Sequence, residues 1–388
     1  MAEVRPIRRL VTGNDNAGKS KVVWDGPAPN THDGSMGSGR GHTDFWVWNE
    51  PQISLSGETD DGNLTYDFPG PINGGHWRVV QGPGVPLDYE QSKDTLYVAP
   101  HAPQRHGVGP RWDRGGMSSH SGGMHKTETV DYAILIDGER SLMLDSGEVK
   151  WSQGDIVIDV GAWHQWLGRT DAGSRVAFDM IAARFVDGPV GLAQGNDAVM
   201  KPPADQKLPG GVKPVRRIVV TDRQPYKSSV VSDGPSPDVR LDPARPGFAL
   251  HRMWVTDGTP CKIALESLHL PHVLAPPANG SVLNVVTLPP DESWKGKVSE
   301  SQVRTFYGSV GASHASTYSD SARHPYMQKM RTADFVIVQD GEVVLVLDTQ
   351  EVTLKKGDFI VVRGQNHAWS NRTSNSAVLA IASHDGNA

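Results

Sequence analysis

Apolar residues in this chain come in short runs, many of them β-branched, and each run is closed by a turn signal. IVIDV from Ile156, VVLVLD from Val343 and DFIVV from Asp358 are such runs. Between them stand Asp137-Gly138, Ser146-Gly147 and Gly154-Asp155. This alternation predicts short strands joined by tight turns, about six to eight in each half of the chain at intervals of roughly 8 to 12 residues. An all-β sandwich or small barrel follows. Helix signals are few; VRTFYGSV from Val303 predicts one or two turns. The stretch from Pro100 to Gly123 is poorly patterned and predicts a long connection, a kind that is usually functional or mobile.

The pattern also repeats. RRLVTGNDNAGKSKVVWDGPAP from Arg8 aligns with RRIVVTDRQPYKSSVVSDGPSP from Arg216, so Asp25 matches Asp233, and Trp46 matches Trp254 in the same register. NGGHWRVV from Asn73 aligns with NGSVLNVV from Asn279. The closest match sets TETVDYAILIDGERSLMLDSGEVKWSQGDIVIDVGAWHQW from Thr127 against MRTADFVIVQDGEVVLVLDTQEVTLKKGDFIVVRGQNHAW from Met330. A duplication of this length is the first thing to settle about a fold. It predicts an N-terminal half over residues 1–200 with its core at 73–182, and a C-terminal half over 215–388 with its core at 279–383. The Pro-, Gly- and Lys-rich residues 201–214 would link them.

Composition narrows the function. The 388 residues are 37% apolar with 42 Gly and 28 Pro, enough to bury a core and too rich in turn formers for long helices. The net charge of −6 leaves no basic field for a nucleic acid. No apolar run has membrane-spanning length. The single cysteine, Cys261, permits no internal disulfide, and without a signal-peptide pattern the expected location is the cytoplasm. GNDNAGKS from Gly13 fits the phosphate-loop pattern by letters. That chemistry needs a helix after the loop. KVVWDGP follows instead, so a hairpin turn is predicted there.

Chemistry gathers in one segment. In HKTETVDYAILI the alternation of a strand puts His125, Thr127, Thr129, Asp131, Ala133 and Leu135 on one face. His164 follows the strand and turn GDIVIDVGAW, with Trp166 on its side of the pleat. A closed sheet could bring His164 opposite His125 and Asp131. Trp77, Trp163 and Trp166 are candidates to stack on a flat substrate.

These residues resemble the cupin superfamily, whose first motif is G-x5-H-x-H-x3-4-E-x6-G and whose second is G-x5-P-x-G-x2-H-x3-N. His125 fits the first histidine, Thr127 replaces the second, and Asp131 stands where the glutamate does, six residues before Gly138. Gly154, Gly161 and His164 fit the second motif, although its proline is missing and the segment is one residue shorter. In the later half Gly357, Gly364, His367 and Asn371 fit that motif. Asp334 keeps the carboxylate there, while Gln328 and Met330 stand for His125 and Thr127. The resemblance implies a double cupin, two double-stranded β-helix barrels in one chain, and a homodimer. It also implies a divalent metal (Fe, Mn, Ni or Zn) in the N-terminal barrel only, held by His125, Asp131 and His164 with His120 or His76 as a further ligand.

Three functions are then expected. The first is an oxygen-dependent metal enzyme, a dioxygenase, acting on an aromatic or oxygen-rich small molecule beside Thr127, Trp166 and Trp77. The second is a metal-free lyase, isomerase or cyclase in which His125 or His164 moves a proton and Asp131 orients the ring. The third is a non-catalytic binding or storage protein.

Overall fold

The computed structural model describes residues 4–33, 40–56, 60, 62, 70–82, 93, 98–107, 109–116, 123–168, 173–188, 190–195, 207–208, 212–265 and 269–387. They form 27 strands, β1 (Arg8–Asn14) to β27 (Ala377–Asn387), and one α-helix, α1 (Glu300–Ser309). The all-β expectation holds. The helix stands where the sequence predicts one, starting at Ser299 with a capping box to Gln302 and laying Val303, Phe306 and Tyr307 onto the second barrel's core. It is too short to cross a membrane, and no other described helix does so.

Two nine-stranded sheets mirror the duplication. The first barrel's long sheet includes β3 (Asn30–Asp33), β4 (Gly41–Trp48), β6 (Gly75–Gly82), β15 (Ser174–Arg184), β10 (Thr129–Gly138) and β13 (Ile156–Val160). A small sheet of β12 (Gly147–Trp151), β11 (Arg140–Leu144) and β14 (Gln165–Gly168) lies across it. Leu135, Leu142, Leu144, Val157, Trp166 and Phe178 fill the space between, the first barrel's interior. Period-2 alternation makes this possible, because residues facing inward on one strand meet those facing inward on the next.

The sheets do not respect the boundary drawn at the linker. β1 and β2 (Ser20–Pro27), from the first half, join the second barrel's sheet, where β1 runs parallel to β25 (Phe359–Arg363). In return β16 (Arg216–Gln224) and β17 (Lys227–Pro235) join the first barrel's sheet, with β16 parallel to β13. Each barrel is therefore built from both halves. Sequence periodicity marks the repeat unit, and it is silent about which copy a hairpin pairs with. The loop at Gly13–Ser20 is the predicted hairpin turn.

The outer faces of the long sheets pack on each other. Phe45, Trp77 and Tyr132 from one meet Phe335 and Phe359 from the other. Trp77 lies stacked on Phe335, with centroids 4.9 Å apart and 5° between planes. Within the stretch expected to be a connection, β7 (Gln104–Arg105) and β8 (Arg111–Gly115) form a small sheet with β9 (Met124–Thr127).

Candidate functional site

The first barrel gathers titratable side chains from four segments. β9 carries His125, and backbone hydrogen bonds of 3.0 and 2.9 Å pair it with His164, which opens β14. Their rings lie 4.3 Å apart at 56°. Asp131 on β10 stands opposite Asp159 on β13 in the ladder, so both carboxyls enter the interior. Gly161 has φ +60°, and a Cβ there would lie 2.6 Å from the Phe185 ring. The sharp turn it permits lets Asp159 reach forward: Oδ1 accepts from the Ala162 backbone N–H at 2.7 Å, and Oδ2 lies 2.7 Å from His164 Nδ1. His164 Nδ1 also lies 2.9 Å from the Ala162 carbonyl, and His125 Nδ1 lies 3.1 Å from that of Gly123. Each imidazole is thus oriented through Nδ1, which leaves its chemistry to Nε2.

Burial sets the charges. His125 is 7% exposed, and His164, Asp131 and Asp159 are 2% exposed. Burial, with the positive charges of His164 and Arg111, holds His125 well below the ordinary histidine range. Burial would also lower His164, but the adjacent Asp159 carboxylate overcomes it and raises His164. Asp131 is pushed up to about 8 by burial and by the charge of Asp159. Thr129 hydrogen-bonds Asp131 and lies 2.7 Å from Thr127, the residue in the second histidine's place. These surroundings favour the neutral form of His125, the protonated form of His164 and the protonated form of Asp131.

The histidine segments are clamped from outside. Asp222, on the exchanged β16, accepts from Lys126 Nζ at 2.7 Å and from the Trp163 backbone N–H at 2.9 Å. It therefore grips the neighbours of both His125 and His164. Lys126 and Asp222 are 0% and 1% exposed. Sequence reading missed Asp222, Lys126 and Asp159. Asp159 had a visible signal, a charge inside the apolar run IVIDV; Asp222 had none, since its partners lie in the other half.

The other expected site residues fall variously. Trp166 joins the cluster, its ring edge-on to His164 at 5.4 Å. Trp77 does not, because it lies on the opposite face of β6 and packs between the two sheets. His76 faces the interior but is two strands from Asp131, with Met180 of β15 between. His120 lies outside the described residues.

The metal implied by the family does not fit His125, Asp131 and His164. Their donor atoms do not converge as a three-ligand group, and the one such group among the described residues is His32, His42 and Asp44. Asp131 faces Asp159 instead, and Thr127 supplies no nitrogen. In the second barrel Gln328 Nε2 lies 3.2 Å from His367 Nε2, burial lowers His367 and raises Asp334, and Val362 stands opposite Asp334 where the first barrel has Asp159.

Residues 321–382 match the family model described as Cupin domain. The match lies within the second half of the chain. It is similar to phomopsin biosynthesis cluster protein D of Diaporthe leptostromiformis, 38% identical over 66 residues, which are 16% of this chain and 35% of that protein. It is also similar to the cupin-domain-containing oxidoreductase virC of Hypocrea virens, 42% identical over 52 residues, 13% of this chain and 27% of that one. The match spans about a third of these relatives or less. Among solved structures, AerE of Microcystis aeruginosa aligns over 92% of this chain and 97% of its own at 6% identity and TM-score 0.38. A variant of salicylate 1,2-dioxygenase from Pseudoaminobacter salicylatoxidans aligns over 80% and 68% at 13% identity and TM-score 0.36.

Proposed function

We propose that the protein is a cupin-type enzyme that moves protons on a small, oxygen-rich or aromatic organic molecule at the mouth of its first barrel. The observation that carries this reading is the histidine pair, two imidazoles in ring contact whose surroundings push their protonation in opposite directions. Groups driven apart in this way mark an acid and a base. His125, neutral, takes the proton; His164, kept protonated by Asp159, gives one; Asp131 in its protonated form donates a hydrogen bond to a substrate oxygen. Trp166 flanks the reacting groups. The reaction class is lyase, isomerase or cyclase, and no step runs through a metal.

Labelling the histidine rings with 15N and titrating by NMR tests the pair before any substrate is known. His164 is expected to titrate above the ordinary histidine range while His125 stays neutral well below it. Equal, ordinary midpoints would overturn the assignment. Once a substrate is found, His125→Gln and His164→Gln should each lower kcat by about 10²- to 10⁴-fold, while His367→Gln leaves it unchanged. Loss of activity in His367→Gln alone would move the site to the second barrel.

The names of the curated relatives favour a second reading, oxidation of a comparable small molecule. Substrate-dependent oxygen uptake would establish it, and turnover without oxygen would establish the first.

A further inference from the structure

The edge of the first barrel's long sheet carries a second polar cluster, separate from the histidine pair. In the hairpin of β3 and β4, His32 stands opposite His42 and Asn30 opposite Asp44, so all four side chains leave one face. The two rings stack 4.6 Å apart at 26°. Both turn Nε2 toward a single carboxylate oxygen: His42 lies 3.5 Å and His32 3.8 Å from Asp44 Oδ2. All three donors lie within 4.8 Å of one another. Arg78 of β6 holds the other oxygen, Oδ1, at 2.6 Å through Nε, and reaches Oδ2 more loosely at 3.2 Å.

We propose that His32, His42 and Asp44 bind one divalent transition-metal ion of the zinc type, with the fourth position open to water. Bonds of about 2.0–2.1 Å to nitrogen and oxygen place the corners of a zinc tetrahedron about 3.3–3.4 Å apart. The separations of 3.5 and 3.8 Å lie close to that edge and are long for hydrogen bonds. Two imidazoles and a carboxylate are a donor set for a cation of intermediate softness. Arg78 is the outer partner that turns Oδ2 toward the rings. Asn30 adds a second sign, since its buried Nδ2 donor has no hydrogen-bond partner and a hydroxide on the metal would accept from it. The carboxylate is 0% exposed, while His42 and His32 are 13% and 29% exposed, which gives an ion a way in. The ion would tie the two strands of an edge hairpin together.

The full chain, stripped with a chelator and dialysed, is titrated with Zn²⁺ and with Co²⁺. One ion per chain, a cobalt absorption band of four-coordinate intensity and a raised Tm are expected. Binding should weaken as pH falls, because protons compete for the imidazole nitrogens. His42→Ala and His32→Ala should each weaken it by about tenfold or more, and His164→Ala should leave it unchanged. Circular dichroism verifies that each variant is folded, and His32, at the partly open rim, is the substitution least able to disturb the core. Failure of both ions to bind the wild-type chain, equal binding by His32→Ala and His42→Ala, or loss of binding in His164→Ala would each overturn the proposal.

Discussion

Asp131 and Asp159 face each other across adjacent strands, and the environment gives the two carboxyls different tasks. Asp131 is the residue that motif spacing points to, yet Asp159 is the one on His164, because the turn at Gly161 folds the end of β13 back toward the ring. A period-2 pattern assigns faces; it does not say how far a turn reaches. The Asp131 carboxyl ionises from 3.8 upward in the unfolded chain and only at about 8 in the folded one. Over that interval the folded state holds the extra proton, so this residue's contribution to stability falls as pH rises. His164, raised above its unfolded value, slopes the same way, and the comparison must therefore be made between variant and wild type. Asp131→Asn should gain in denaturation midpoint over wild type by a margin that grows from about pH 5 to about pH 8. A constant margin across that range would mean that the carboxyl is ionised in the fold.

Among elements, the exchanged hairpin of β16 and β17 bears directly on the site, since its Asp222 holds the neighbours of both histidines. Removing that carboxylate leaves Lys126 buried without its counter-charge, a loss of about 3–5 kcal/mol for a broken buried pair. Asp222→Asn should fall in that range by urea denaturation, and its His125 and His164 ring resonances should shift, which a merely remote destabilisation would not produce. Asp222→Asn with Lys126→Met should recover much of the stability, because both charges are then gone. Stability unchanged in the single variant would show that the pair contributes nothing. The strands themselves were legible: the β1 and β2 turn, the runs around Asp137-Gly138 and the helix near Val303 all follow from local pattern. The small sheet inside residues 104–127 was not, because short edge strands carry little periodicity.

At the scale of the whole molecule, hairpin exchange and the aromatic contact between the long sheets make the two barrels one folding unit. Trp77 on Phe335 and Phe45 on Phe359, at 4.9 and 4.2 Å between centroids, lie across that contact. Residues 1–200 expressed alone would leave β13 without its parallel neighbour and β1 and β2 without a sheet, and exposed edges of that kind aggregate. The fragment is expected to be insoluble or unfolded by circular dichroism, and co-expression with 201–388 should restore a soluble complex on gel filtration. A soluble, folded 1–200 fragment would refute the interdependence. By itself the sequence determined the all-β class, the duplication and the two histidines, because alternation, turn residues and repeated motifs are local and survive in one dimension. Tertiary structure alone decided which hairpin completes which barrel, which carboxylate meets His164, and that Trp77 belongs between the sheets. Those outcomes depend on contacts between residues far apart in the chain, and a one-dimensional pattern holds no record of their pairing.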